Sequence, residues 1–140
     1  MASESASVHL SPPPPRSSVL LLLRLEGLAV AIVSAVLYAR TGANWWLFAA
    51  LWLVPDLSML GYLANPCWGA RLYNAVHTYV VPATLALSTL LLHGNGVLLS
   101  IALIWVNHIG VDRLLGYGLK FREGFGWTHL GLLGKAARRI

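Results

Sequence analysis

Four apolar runs of about twenty residues, near 19–39, 45–63, 72–92 and 97–117, leave this chain little choice of fold. At about 1.5 Å per residue, each run as a helix crosses the roughly 30 Å hydrocarbon layer of a bilayer. An open chain in that layer must satisfy its backbone polar groups within each segment, so the runs are expected to be helices. Composition agrees: 57% of residues are hydrophobic and 11% charged, and the mean hydropathy is +0.67. A soluble domain carries about 25% charged residues, and a chain of this length buries only part of its surface. A soluble enzyme, a disordered chain and a disulfide-stapled secreted domain are excluded; with Cys67 as the single cysteine, no intrachain disulfide and no cysteine-based metal site can form. The expected fold is all-α: a polytopic membrane protein, a bundle of four transmembrane helices joined by short hairpin loops.

The segments outside the runs set the expected domains and orientation. Residues 1–18, with Pro12-Pro13-Pro14-Pro15, read as a disordered Ser/Pro-rich tail, and 118–140 as a basic cytoplasmic tail. Arg24 and Glu26 interrupt the first run, and no small-residue cleavage site follows, so a cleaved signal peptide is not expected. The connections are Arg40–Asn44, Ala64–Arg71 and His93–Gly96. Arg16, Arg71, Lys120, Arg122, Lys135, Arg138 and Arg139 fall on one side, seven against Arg40 alone on the other. Positive residues favour the cytoplasm, so a multi-pass protein of the cell (inner) membrane with both termini cytoplasmic is expected. Trp45 and Trp46 then meet the outer interface. The net charge of +5 is read as contact with lipid headgroups, not nucleic acid.

The informative residues are the ionisable ones inside the runs. Glu26, Asp56, His77, His108 and Asp112 lie five to nine residues from the cytoplasmic ends of their runs, a depth of roughly 7–14 Å. Counted from the third turn, His77 and Asp112 are level, and His108 and Asp112 share one helical face. Asn74, His77 and Thr78 form a polar stripe. Each charge near mid-bilayer costs about 2.5–3.5 kcal/mol on insertion scales, so these groups are expected to meet inside the bundle. With Arg24 and Arg113 the layer holds two positive and three negative groups, one negative charge in excess. Pro55 beside Asp56 leaves a carbonyl without its donor. Gly61, Gly110, Gly116 and Gly118 offer places for close helix approach.

The strings Leu23-Arg24-Leu25-Glu26-Gly27, Pro55-Asp56-Leu57-Ser58-Met59-Leu60-Gly61-Tyr62 and Tyr73-Asn74-Ala75-Val76-His77-Thr78-Tyr79 carry a resemblance. So do His108-Ile109-Gly110-Val111-Asp112-Arg113-Leu114-Leu115-Gly116-Tyr117-Gly118-Leu119-Lys120 and Thr128-His129-Leu130-Gly131. Over roughly residues 20–134 the chain resembles a family of small bacterial integral membrane proteins, domain-of-unknown-function family 4260. The resemblance implies membrane location and a compact four-helix unit, and no chemistry.

Three functions fit these residues. The reading that needs least is a structural or accessory membrane protein. In it, Arg24, Arg71 and Arg113 pair with Glu26, Asp56 and Asp112, and the histidines bond to Asn74, Asn107 or backbone. The alternative is a metal-dependent membrane hydrolase acting on a lipid-like substrate. Asp56, His77, His108 and Asp112 would ligate Zn, Mn or Fe, Glu26 would be the general base, and Arg24 or Arg113 would hold a phosphate or oxyanion. A further alternative is proton or ion passage along an Asp/His relay, with a homo-oligomer to make room for a pore. His129 would be an additional ligand if its segment docked at the cytoplasmic mouth; otherwise that segment is a plain amphipathic surface strip.

Overall fold

The computed structural model describes residues 17–92 and 95–134. The expectations for residues 1–16, including Arg16, for His93 and Gly94, and for Lys135, Arg138 and Arg139 lie outside the described residues. Five α-helices dominate: α1 (Ser17–Arg40), α2 (Trp45–Trp52), α3 (Pro66–Val76), α4 (Val80–Leu91) and α5 (Gly96–Leu115). A 3₁₀ helix, Val54–Leu63, continues α2, and a two-stranded hairpin, β1 (Trp127–Thr128) with β2 (Gly131–Leu132), follows α5. Three segments are long and apolar enough to cross a membrane: Ser17–Arg40, Trp45–Leu63 and Gly96–Leu115.

The packing is inverted relative to a water-soluble bundle. The buried residues of α1 are Gly27, Ala31, Ser34 and Tyr38, while Leu21, Leu22, Ile32 and Val33 point outward and are exposed. Small residues inside and large aliphatics outside is the pattern of helices whose solvent is lipid. The small residues form a stripe at spacings of three and four, which brings α1 onto the matching stripe of α5. A Cβ at Gly27 would lie 2.7 Å from the Gly110 carbonyl oxygen, and one at Gly110 would lie 2.9 Å from the Ala31 nitrogen. Only hydrogen fits on either side. Asn107 Nδ2 then donates to the Ala31 carbonyl at 2.7 Å and to Ser34 Oγ at 3.2 Å, and its Oδ1 accepts from Trp52 Nε1 at 2.9 Å. One buried amide thus ties α1, α2 and α5 together. Asn107 is committed here and does not bond to a histidine.

The expected continuous helix over 72–92 is not formed. The chain is helical from Pro66 to Val76, bends at 77–79, and restarts at Val80. Pro82 explains the restart: it lacks an N–H and clashes with a carbonyl one turn back, so it is accommodated in a first helical turn. The second run breaks similarly. Pro55 cannot donate to Leu51, α2 ends at Trp52, and the backbone tightens into a 3₁₀ helix of ten residues. A 3₁₀ stretch so much longer than one turn is unusual and marks a specialised place in a chain. Freed carbonyls at the bend after α3 find donors: Trp105 Nε1 bonds to the Val76 oxygen at 2.7 Å, and Arg113 Nη2 to the His77 oxygen at 3.2 Å. Non-helical backbone among apolar helices is tolerated under such cover.

Residues 118–134, part of the stretch 118–140 expected as a basic tail, fold back under the helices instead. Gly116, in the left-handed region at φ 91°, ends α5 and turns the chain. Asn74 clamps the returning strand: its Nδ2 donates to the Lys120 oxygen at 2.8 Å, and its Oδ1 accepts from the Lys120 nitrogen at 2.7 Å. Lys120 is buried, its ammonium 4.1 Å from the Phe125 ring centre and 4.9 Å from that of Tyr73. Loss of hydration there pushes the ammonium down to about 8, against the pull of Asp112.

Candidate metal centre

Each break in a helix delivers one donor to a common point. Asp56 sits in the first turn of the 3₁₀ helix, and His77 is the residue that ends α3. His108 and Asp112 project from one face of α5, one turn apart. The four side chains each bring one donor atom to a cluster in which all four atoms lie within 4.8 Å of one another. His77 Nε2 and His108 Nε2 are 3.2 Å apart. Asp56 Oδ1 is 3.5 Å from each, and Asp112 Oδ2 is 3.6 Å from His77 and 3.9 Å from His108. An ion held tetrahedrally at about 2.0–2.1 Å has its donors about 3.3 Å apart; five of the six separations, 3.2–3.9 Å, are near that edge length, and the Asp56–Asp112 one is within 4.8 Å.

The surroundings orient the donors inward. His77 Nδ1–H donates to the Tyr73 carbonyl oxygen at 3.0 Å, which leaves the Nε2 lone pair facing the cluster. The Tyr73 hydroxyl donates to Asp112 Oδ2 at 2.8 Å, and the Tyr73 ring stacks on His77 with centres 3.7 Å apart. Trp52 meets His108 edge-on at 5.0 Å. The Nδ1–H bond of His77 is the kind of outer partner that fixes the tautomer and angle of a metal-binding imidazole, whereas His108 Nδ1 is buried without a hydrogen-bond partner and that ring is held by packing alone. The imidazoles are closed in, 2% and 1% exposed, whereas the side chains of Asp56 and Asp112 are 30% and 15% exposed. The cluster is therefore shut on the histidine side and open on the carboxylate side.

The arginine–acid pairs of the structural reading are not formed. Among the described residues, Asp56 and Asp112 meet histidines, and no acid of this layer has an Arg or Lys within 4.0 Å. Arg113 turns to the His77 carbonyl and to His129, and the Arg71 guanidinium lies over the Trp68 ring at 5.5 Å. The Arg24 side chain runs beside Gly116, with its Nε buried and unpartnered. Glu26 is exposed on α1 and makes no hydrogen bond or ion pair among the described residues, so nothing assigns it to the cluster as a general base. It lines a separate cleft with Tyr79, Arg113 and His129. His129 docks, as one expectation had it, but onto Leu119 and Arg113 and not as a fifth donor. The chain-long match that decides kinship covers residues 20–133.

The chain belongs to the DUF4260 family, a domain of unknown function. Comparison with curated proteins and with solved structures gives no match. For this family member, the four-donor cluster is thus the feature on which a functional reading must stand. Sequence spacing pointed to its residues, but not to Tyr73, whose hydroxyl and carbonyl both serve it. The signal was present in part: Tyr73 and His77 are one turn apart on the polar stripe.

Proposed function

We propose that this member of the DUF4260 family is a multi-pass protein of the cell membrane that holds one divalent transition-metal ion between Asp56, His77, His108 and Asp112. The observation that carries the proposal is the convergence of four donors within 4.8 Å of one another, with no Lys or Arg within 4.0 Å of their carboxylates among the described residues. Two carboxylates and two neutral imidazoles leave a site charge of −2, which a divalent ion balances. A mixed nitrogen and oxygen set suits Zn, Mn or Fe better than Mg or Ca. When bound, such an ion supplies Lewis acidity and acidifies a coordinated water. The open carboxylate side is where a substrate would approach, and hydrolysis of a lipid-like substrate at the cytoplasmic leaflet is the chemistry we assign. Elemental analysis of the detergent-purified protein is the test: about one ion per chain is expected. A protein without metal after supply of Zn, Mn and Fe would overturn the reading.

The membrane arrangement belongs to the same proposal. The three long segments cross the bilayer, and the bent pair α3–α4 makes a fourth passage, which keeps both termini cytoplasmic. The seven-to-one distribution of Lys and Arg supports this orientation. Reporter fusions truncated at Gly42 and Gly94 should read as external and one at Cys67 as internal. If the fusion at Cys67 reads as external, the orientation is wrong.

A further inference from the structure

The cleft that takes up Glu26 is a second place where the molecule is chemically incomplete. It has a volume of about 260 Å³ and is lined by Leu23, Glu26, Val30, Tyr79, Arg113 and His129 together with Gly27 and Leu130. His129 Nδ1 accepts a hydrogen bond from the Leu119 backbone N–H at 2.8 Å. In a neutral imidazole the proton must then sit on Nε2. Burial, and after it the Arg113 charge, holds His129 below the usual imidazole range, so the neutral form prevails. His129 Nε2 lies 3.1 Å from Arg113 Nη1. The same Nη1 lies 3.3 Å from Nδ1, the acceptor nitrogen of the ring, yet among the described residues no carboxylate lies within 4.0 Å of Arg113, so its charge lines the cleft without a counter-ion, beside an Nε2–H that has no acceptor. The Tyr79 hydroxyl, on the same cleft wall, is buried and has no hydrogen-bond partner.

Glu26 completes the pattern. It is the single acid of the cleft wall and is exposed, with no ion pair to Arg113 among the described residues. One side of the cleft therefore calls for an anion and the other offers a carboxylate to a cation. Beside them on α1, Leu21, Leu22 and Leu25 are exposed and apolar. A ligand seated here has an anionic group, a cationic group and a hydrophobic continuation.

We infer that this cleft binds the headgroup of a zwitterionic phospholipid of the phosphoethanolamine type, with its phosphate on Arg113, His129 and Tyr79, its ammonium on Glu26, and its acyl chains along the outer face of α1. The inference rests on the proposed function for the placing of the cleft at the membrane surface, and it names the lipid class that the adjoining cluster would act on. Arg113 joins the two sites, because it directly follows the donor Asp112 and also holds the His77 carbonyl.

Native mass spectrometry of the full-length protein in detergent, with phosphatidylethanolamine and phosphatidylglycerol at equal concentration, tests the assignment and reports bound metal in the same spectrum. The unmodified protein should retain phosphatidylethanolamine over phosphatidylglycerol by about fivefold, the worth of one partly screened ion pair. Glu26→Gln, a substitution at an exposed position, should remove that preference by lowering phosphatidylethanolamine retention to the level of phosphatidylglycerol. His129→Leu should lower retention of both lipids several-fold. Free glycerophosphoethanolamine in millimolar excess should fail to displace the lipid; displacement would assign the cleft to a soluble phosphate ester and overturn the lipid reading. Equal retention of the two lipids by the unmodified protein, or a preference that survives Glu26→Gln, would overturn the headgroup assignment. Metal retained beside absent lipid selectivity would refute this inference alone. Lipid selectivity without metal would refute the hydrolase reading alone.

Discussion

His108→Ala is expected to leave purification without the ion that the unmodified protein carries. Removing His108 Nε2 takes away one of four donors, and the cavity it leaves is walled by Trp52 and His77, neither of which can replace it. Loss of an outer partner alone costs about 10–100-fold in metal affinity, so loss of a direct donor should cost at least about 100-fold. Asp112→Asn should behave alike, because it replaces an anionic donor with a neutral amide whose one oxygen is shared between the ion and the Tyr73 hydroxyl. Stability supplies an independent readout. An ion that binds only the folded state adds about 4 kcal/mol when present at about a thousand times its dissociation constant. Chelation should therefore lower the melting temperature of the unmodified protein and leave that of His108→Ala where it was. If a chelator changes neither protein and neither holds metal, the cluster is a polar network that fixes helix register, and hydrolysis falls with the ion.

The second large effect concerns the α1–α5 contact. Gly110→Leu should unfold or severely destabilise the protein. The first added carbon would come to 2.9 Å from the Ala31 nitrogen and the Gly27 oxygen, both backbone atoms that cannot swing aside. Overpacking of a well-filled core costs about 1–3 kcal/mol, and forcing these helices apart also breaks the two bonds from Asn107 to α1. A total above about 3 kcal/mol is the expectation. Gly96→Ala is the matched control: a Cβ there meets nothing within 4 Å, so its effect should stay within about 0.5 kcal/mol. Thermal unfolding in one detergent compares the two variants, and equal melting temperatures would show that the contact is looser than the geometry states.

Residues and spacings carried part of this on their own. Insertion into a bilayer is close to additive per residue, so hydropathy alone drew runs near 19–39, 45–63 and 97–117, which the helical segments Ser17–Arg40, Trp45–Leu63 and Gly96–Leu115 match, and a run over 72–92 that is not one long helix. Helix rise placed Asp56, His77, His108 and Asp112 at one depth, because buried charges of this kind are too costly to scatter. Pro55 announced the break before Asp56. Pro82 stood in plain view as the matching cause of the break at His77, yet a proline in an apolar run is compatible with a mere kink, and only the packing against Trp105 and Arg113 makes it a bend.

Other features depended on partners far apart in the chain. Charge counting matched arginines to acids, but a guanidinium has several acceptors to choose from, and Arg113 takes the carbonyl that the bend at His77 sets free. Asn74 and Lys120 are 46 positions apart, and no local pattern says that the amide will capture a returning strand and turn an apparent basic tail into the floor of the bundle. Glu26 shares the depth of the cluster but not its direction, since rotation about α1 is decided by which stripe packs on α5, and the glycine stripe at Gly27 outcompetes the acid beside it. Depth in a membrane follows from one chain's own residues; facing follows from the close contacts between helices.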